Sequence, residues 1–213
     1  MSRLCSELHL LVRQAEPLSF PFDVRRIPTN GIYVLFEVGE YGNDEQRIVR
    51  VGTHTGESQL LSRLNQHFMK ENKDRSIFRK NIGRALLNRA NDPFLAQWEL
   101  DLTTSEAKLK YATVIDFAKQ RTVEAQVTKY IQENFTFVVF CIDDKATRLD
   151  LESKMISTVS LCNECGPSDQ WLGLHSPRSK IRRGGLWVVN ELYKKPLAET
   201  DLVQLKRSDQ RAD

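Results

Sequence analysis

The chain has 213 residues, 31 of them Lys or Arg and 28 Asp or Glu, for a net charge of +3. With 40% hydrophobic and 28% charged residues it has the mix of a folded protein rather than a disordered one, at a length that suits one large domain or one domain carrying an insertion. The longest charge-free apolar run, Phe135 to Ile142, is too short to span a bilayer, and Leu8 to Val12, bounded by Glu7 and Arg13, is not a signal peptide. Four cysteines in such a chain point to a reducing, cytoplasmic setting and no disulfide framework.

Residues 1–30 read as an N-terminal helical and linker segment, with a short amphipathic stretch from Leu4 to Val12 and then Pro17, Pro21 and Pro28. Thr29-Asn30-Gly31 is a turn that opens a β-branched and aromatic strand over Gly31–Gly39. After a turn between Gly39 and Gly42, Arg47–Gly52 forms the second strand of a hairpin. A helix from about Glu57 to Lys70 follows, with Leu60, Leu61, Leu64 and Phe68 as its buried stripe. Further helical segments are Ser76–Arg89, closed by Asn91-Asp92-Pro93, and the polar region Glu106–Glu133. Phe135–Ile142 is a buried strand, and Asp143-Asp144 caps a helix over about Lys145–Leu161. Gly185–Asn190 reads as a final short strand. The predicted fold class is α/β (α+β): a small, mostly antiparallel three-stranded sheet flanked by helices. The expected domain covers 31–190 with a helical insertion at about 71–134, and a C-terminal tail covers 191–213.

Charge is unevenly spread. From Lys70 to Arg89, seven basic side chains face two acidic ones, a local charge of +5, and Gln170–Asn190 holds four basic residues and no acid. Two cationic segments in a nearly neutral chain point to a polyanion, most simply nucleic-acid phosphate; two solvated surfaces are the alternative. The helix after the central strand contains an anomaly. At about 100° per residue from Leu149, Glu152 falls at about 300°, between Val159 at about 280° and Ile156 at about 340°. A carboxylate on an apolar face requires a basic partner, a metal ion or a raised pKa. Arg63 and His67, four residues apart on the preceding helix, share a face bordering its apolar stripe and offer a matching cation.

Taken in order, these residues resemble the GIY-YIG nuclease superfamily. Gly31-Ile32-Tyr33 stands verbatim at the head of the first strand, while the second motif reads Arg50-Val51-Gly52, keeping its glycine and aliphatic residue and losing its tyrosine. Arg63 and His67 match the arginine of the first helix and the residue four on, Glu152 matches the metal-ligand glutamate, and Asn190 matches a late asparagine. The resemblance covers 31–69 and about 135–190. It implies a metal-dependent DNA endonuclease, restriction-like or defence-related, in which Glu152 binds one Mg²⁺ or Mn²⁺, Arg63 holds the phosphate and Tyr33 is the general base. Arg50 would favour the Tyr33 phenolate in place of the second tyrosine, His67 would orient water or phosphate or share the base role, and Asn190 would support the metal shell or a phosphate oxygen.

Double-stranded DNA is the implied partner, gripped by Arg79, Lys80, Arg84, Arg178, Lys180, Arg182 and Arg183, and cutting both strands calls for a homodimer on DNA. Two other readings are a nucleic-acid-binding module of the same fold that has lost cleavage, and a plain α/β interaction protein in which Glu152 and Arg63 form a core salt bridge. Cys162-Asn163-Glu164-Cys165 is a single Cys-x-x-Cys pair; with Cys141 and His175 it would make a zinc site, but that second half lacks regular spacing, and buried thiols are the favoured reading.

Overall fold

The computed structural model describes residues 3–42 and 45–209. In chain order the strands are β1 (Leu18–Ser19), β2 (Gly31–Gly42), β3 (Glu45–Gly52) and β4 (Phe135–Cys141). The helices that position the site are α1 (Arg3–Gln14), α2 (Leu60–Phe68), α3 (Ile77–Arg89), α4 (Leu95–Trp98), α5 (Ser105–Lys110), α6 (Phe117–Asn134), α7 (Lys145–Ser160), α8 (Ser179–Gly184) and α9 (Glu199–Asp209). The sheet runs β1-β4-β2-β3 with every pair antiparallel, so it has four strands where three were expected. The additional strand is a two-residue edge, Leu18 and Ser19 against Phe137 and Thr136, between Pro17 and Pro21. A strand that short has no alternation to read.

β2 is central, and its alternation feeds two cores. Tyr33 and Leu35 face α2, α3 and α6, whereas Ile32, Val34 and Phe36 pack with residues of α1, α7 and α9. Leu60, Leu64 and Phe68 of α2 are fully buried, as their spacing predicts, and contribute about 1.5–3 kcal/mol each on removal from water, while Leu61 of the same expected stripe is only partly buried. Helix starts follow local chemistry: the side chains of Ser76, Asp116 and Asp144 accept the backbone N–H of Arg79, Lys119 and Thr147. The polar region read as helical after residue 106 is two helices, α5 and α6, parted at Tyr111–Asp116.

Gly185–Asn190 is not a strand. Trp187 N–H donates to the Val49 carbonyl at 2.8 Å, but the neighbouring carbonyls are taken by arginine side chains of β3: Arg47 donates to Gly185 O and Arg50 to Trp187 O. Gly185 has a φ of 63°, the left-handed cap that ends α8 and turns the chain onto β3, the outer strand of the sheet, whose edge it covers. The indoles of Trp171 and Trp187 both donate to Glu37 Oε2, at 2.8 and 2.7 Å, fixing the loop to β2. The loop is therefore held by side chains where a ladder would hold a strand.

Candidate active site

Tyr33 of β2 lies opposite Gly52 of β3, and a Cβ at residue 52 would stand 2.2 Å from the Tyr33 hydroxyl oxygen. Only glycine leaves the phenol this room. The Tyr33 hydroxyl is 2.8 Å from His67 Nε2, and His67 Nδ1 is 2.7 Å from Ser76 Oγ. Ser76 is also the residue that caps α3, so one hydroxyl serves the helix start and the imidazole together. All three side chains are fully buried. Gly52→Ala is expected to cost about 1–3 kcal/mol by overpacking and to push the phenol off His67, which equilibrium denaturation and the near-ultraviolet tyrosine signal will read.

Burial, reinforced by the fields of Arg50, Arg63 and Arg79, holds the His67 imidazole well below its ordinary pKa. It is neutral at neutral pH, so one ring nitrogen donates and the other accepts. The unfolded chain takes up a proton near pH 6.5 that the folded chain refuses, so stability is retained above about pH 6.5 and lost as pH falls below it, by up to about 1.4 kcal/mol per pH unit. His67→Gln is expected to flatten that part of the stability curve, measured by urea denaturation between about pH 7 and pH 5.

On the other face of the same sheet end, α7 presents Glu152. Burial raises its pKa, against the Arg50 guanidinium, a hydrogen bond from the Thr53 N–H and the more remote Arg63, while the Glu191 carboxylate adds to the rise. Gly52 thus touches the phenol and Thr53, the next residue, donates to the carboxylate. Of the buried arginines, Arg47, Arg79 and Arg84 are each paired with a carboxylate, of Glu40, Glu124 and Glu99, whereas Arg148 donates to backbone carbonyls. Among the described residues neither Arg50 nor Arg63 has such a partner, and the Glu152–Arg63 core bridge does not form. Arg63 is half-buried and its Nη1 donates to Gln66 Oε1 at 3.1 Å and the Arg75 carbonyl at 3.2 Å. The Arg50 guanidinium lies 5.1 Å over the Phe78 ring, and its Nε has no hydrogen-bond partner.

Arg50, Asn81, Glu152, Ser153, Asn190 and Glu191 line one cavity of about 450 Å³. Glu191 carries no signal in the sequence beyond its place beside Asn190, since it sits in an aperiodic loop. Its φ of 64° is a left-handed conformation that costs a non-glycine residue about 1 kcal/mol. Its carboxylate accepts from Lys194 Nζ at 2.8 Å and from the Ser153 hydroxyl, which hold its pKa low. Two carboxylates, two amides and an unpaired guanidinium nitrogen share this cavity. Those oxygen donors fit a hard divalent cation.

The structure brings Arg50, Glu152 and Asn190 together at the cavity and joins Tyr33 to His67 behind it. It does not bring the cationic segments together as one surface. Arg79 is fully buried against Glu124, with N···O distances of 2.8 and 3.2 Å. Lys80 is buried on Asp74 and the Glu99 carbonyl, and Arg84 makes a two-pronged contact with Glu99 at 2.6 Å on both arms. These three are interior cations, a correction to their expected place on DNA: carboxylates from α6, the loop between α2 and α3, and the segment after α4 neutralise them. Arg178 is exposed but also paired with Glu99, at 3.1 Å. Lys180, Arg182 and Arg183 are exposed on α8, and Lys180 and Arg183 line a second cavity that shares Asn190 and Glu191 with the first.

A family model described as a GIY-YIG domain matches residues 2–208. Neither a curated protein nor a solved structure matches the chain.

Proposed function

The chain belongs to the GIY-YIG domain family, whose members are generally endonucleases, and we propose that it is itself a divalent-metal-dependent DNA endonuclease with the Glu152 cavity as its centre. The observation that carries this reading is the Glu152 carboxylate: largely desolvated, free of any ion pair among the described residues, and sharing a cavity with Glu191, Asn190 and Arg50. Glu152 would hold a Mg²⁺ or Mn²⁺ ion, with Glu191 and Asn190 as further oxygen donors. When bound, such an ion supplies charge neutralisation at a phosphodiester oxygen.

The chain's own residues do the rest. Arg63, permanently charged and lacking a carboxylate partner, binds the scissile phosphate. Arg50 adds positive charge to the cavity wall from a fixed position between Phe78 and the Trp187 carbonyl. Tyr33 accepts the proton of the attacking water, and His67, neutral and 2.8 Å away, takes the phenol's own proton through Nε2. The field of Arg50 lowers the pKa of Glu152, favouring the ionised ligand, and that of His67, keeping the imidazole unprotonated until it meets the phenol's proton. Lys180, Arg182 and Arg183 lead the DNA backbone along α8 to the shared wall at Asn190 and Glu191. A restriction or defence setting and a homodimer that cuts both strands belong to the same proposal, with 31–190 as the nuclease unit.

The full burial of Tyr33 and His67 favours a second reading, a module of this fold that binds nucleic acid without cutting it. Supercoiled plasmid separates the two. Nicked or linear product is expected with added Mg²⁺ or Mn²⁺ and none without added ion; retarded but intact plasmid would select the binding module.

A further inference from the structure

A second cluster of chemistry-bearing side chains lies across the sheet from Tyr33 and His67, in the core built from α1, α7 and α9. Cys5 and His9 are four residues apart on α1 and share its inner face. Cys162 and Cys165 lie in the loop after α7. The Sγ atoms of Cys5, Cys162 and Cys165 all lie within 4.8 Å of one another, with Cys5 and Cys165 at 3.4 Å. None of the three is in a disulfide, and each is less than a tenth exposed. His9 is buried against them, its Nδ1 3.7 Å from Cys5 Sγ and its Nε2 4.0 Å from Cys165 Sγ.

We propose that Cys5, His9, Cys162 and Cys165 bind a structural zinc ion. Zinc–sulfur bonds of about 2.3 Å in a tetrahedron place sulfurs roughly 3.8 Å apart, inside the spread seen here. The imidazole is set up as the fourth donor. Its Nδ1 is 2.9 Å from the Cys5 carbonyl, a contact that keeps the proton on Nδ1 and leaves the Nε2 lone pair toward Cys165. The Ile48 N–H, 3.4 Å from Nε2, is the weak contact that metal binding replaces. The ligand chemistry, three soft thiolates and one imidazole, selects zinc over the hard cation that suits Glu152. Cys141 and His175, the partners that sequence spacing offered for the Cys-x-x-Cys pair, are not part of the sulfur cluster. Cys5 lies 160 residues from Cys165, and only the fold reveals it.

The site would staple two segments, and through the second it bears on the end of β2. α1 contributes Cys5 and His9. The loop contributes Cys162 and Cys165, and its backbone at Glu164 and Cys165 packs within 3.6 Å of where a Cβ on Gly42, at the end of β2, would be. The same loop continues to Ser168, whose N–H donates to Glu40 at 3.1 Å, and on to the Trp171 and Trp187 segment that walls the candidate active site. Metal here fixes the N-terminal helix and the start of that wall.

The test uses the full chain expressed in zinc-supplemented medium. Elemental analysis is expected to give one zinc per chain, and exchange with Co²⁺ to give the thiolate-to-cobalt charge-transfer band and the intense visible bands of a tetrahedral site. Cys165→Ser and His9→Ala are each expected to lower zinc affinity at least tenfold in chelator competition, while Cys141→Ser retains it. Zinc-free wild-type protein that gives no cobalt charge transfer would overturn the proposal whether or not the variants fold. So would a titration of the denatured wild-type chain with thiol reagent that finds two thiols instead of four, since Cys5 and Cys165 would then be a disulfide pair.

Discussion

Glu152→Gln is expected to abolish cleavage, by at least about 10³-fold, in a protein that folds as well as the original. The amide oxygen still accepts the Thr53 N–H, and the substitution removes a charge that burial disfavours. Without metal, the melting temperature of Glu152→Gln should therefore equal or exceed that of the wild type. The two proteins part when Mg²⁺ is added. At ten times its dissociation constant, the ion stabilises a folded chain that binds it by about 1.4 kcal/mol, and the glutamine variant should lose that response. Differential scanning fluorimetry with and without Mg²⁺, alongside a plasmid time course, measures both effects. A glutamine variant that still cuts would remove Glu152 from the chemistry.

Arg79→Met has the largest expected effect on stability. Its guanidinium is fully buried and binds the Glu124 carboxylate, the Glu124 and His67 carbonyls and Thr128 Oγ1. Removing it strands a buried carboxylate, at a cost of about 3–5 kcal/mol. Urea denaturation is expected to show this loss, and replacing Arg79 and Glu124 together by Met and Leu should recover much of it. A pair of changes on α8, Lys180→Ala with Arg183→Ala, should do the reverse. Both residues are exposed, so the denaturation midpoint should hold, while DNA affinity falls and the slope of log K against log salt drops by about 0.9 for each phosphate that is no longer neutralised. If Arg79→Met folds normally and only weakens DNA binding, the interior role given to Arg79 is wrong.

The contrast between Arg79 and Lys180 shows where the sequence stops being legible. Both stand in basic runs, and net charge by segment cannot tell them apart. What separates them is a set of carboxylates, two of them well along the chain: Glu124 for Arg79 and Glu99 for Arg84, with the nearer Asp74 for Lys80. Glu152 was legible because its reading needed only the 3.6-residue period of its own helix, and Leu151, Met155, Ile156 and Val159 around it are buried as that period requires. α2 and α7 were legible for the same reason; the hairpin's strands were read from β-branched and aromatic composition, but β2 runs on to Gly42, where a turn from Gly39 was expected. The Gly185–Asn190 segment was not, since its apolar run is held by Arg47, Arg50 and Glu37 in place of a strand partner. Ser76 could be read as a helix start, but its bond to His67 depends on how α2 and α3 pack. Glu191 gave no periodic signal at all, although it shares the cavity with Glu152.

Anomalous diffraction from a crystal soaked in Mn²⁺ tests the assignment of the cavity most directly. A single strong peak is expected within coordinating distance of a Glu152 carboxylate oxygen, in the space bounded by Asn190 and Glu191, and it should vanish in Glu152→Gln. A well-diffracting soak with no peak there, or with the same peak retained in the glutamine variant, would contradict a metal-dependent nuclease centred on this residue.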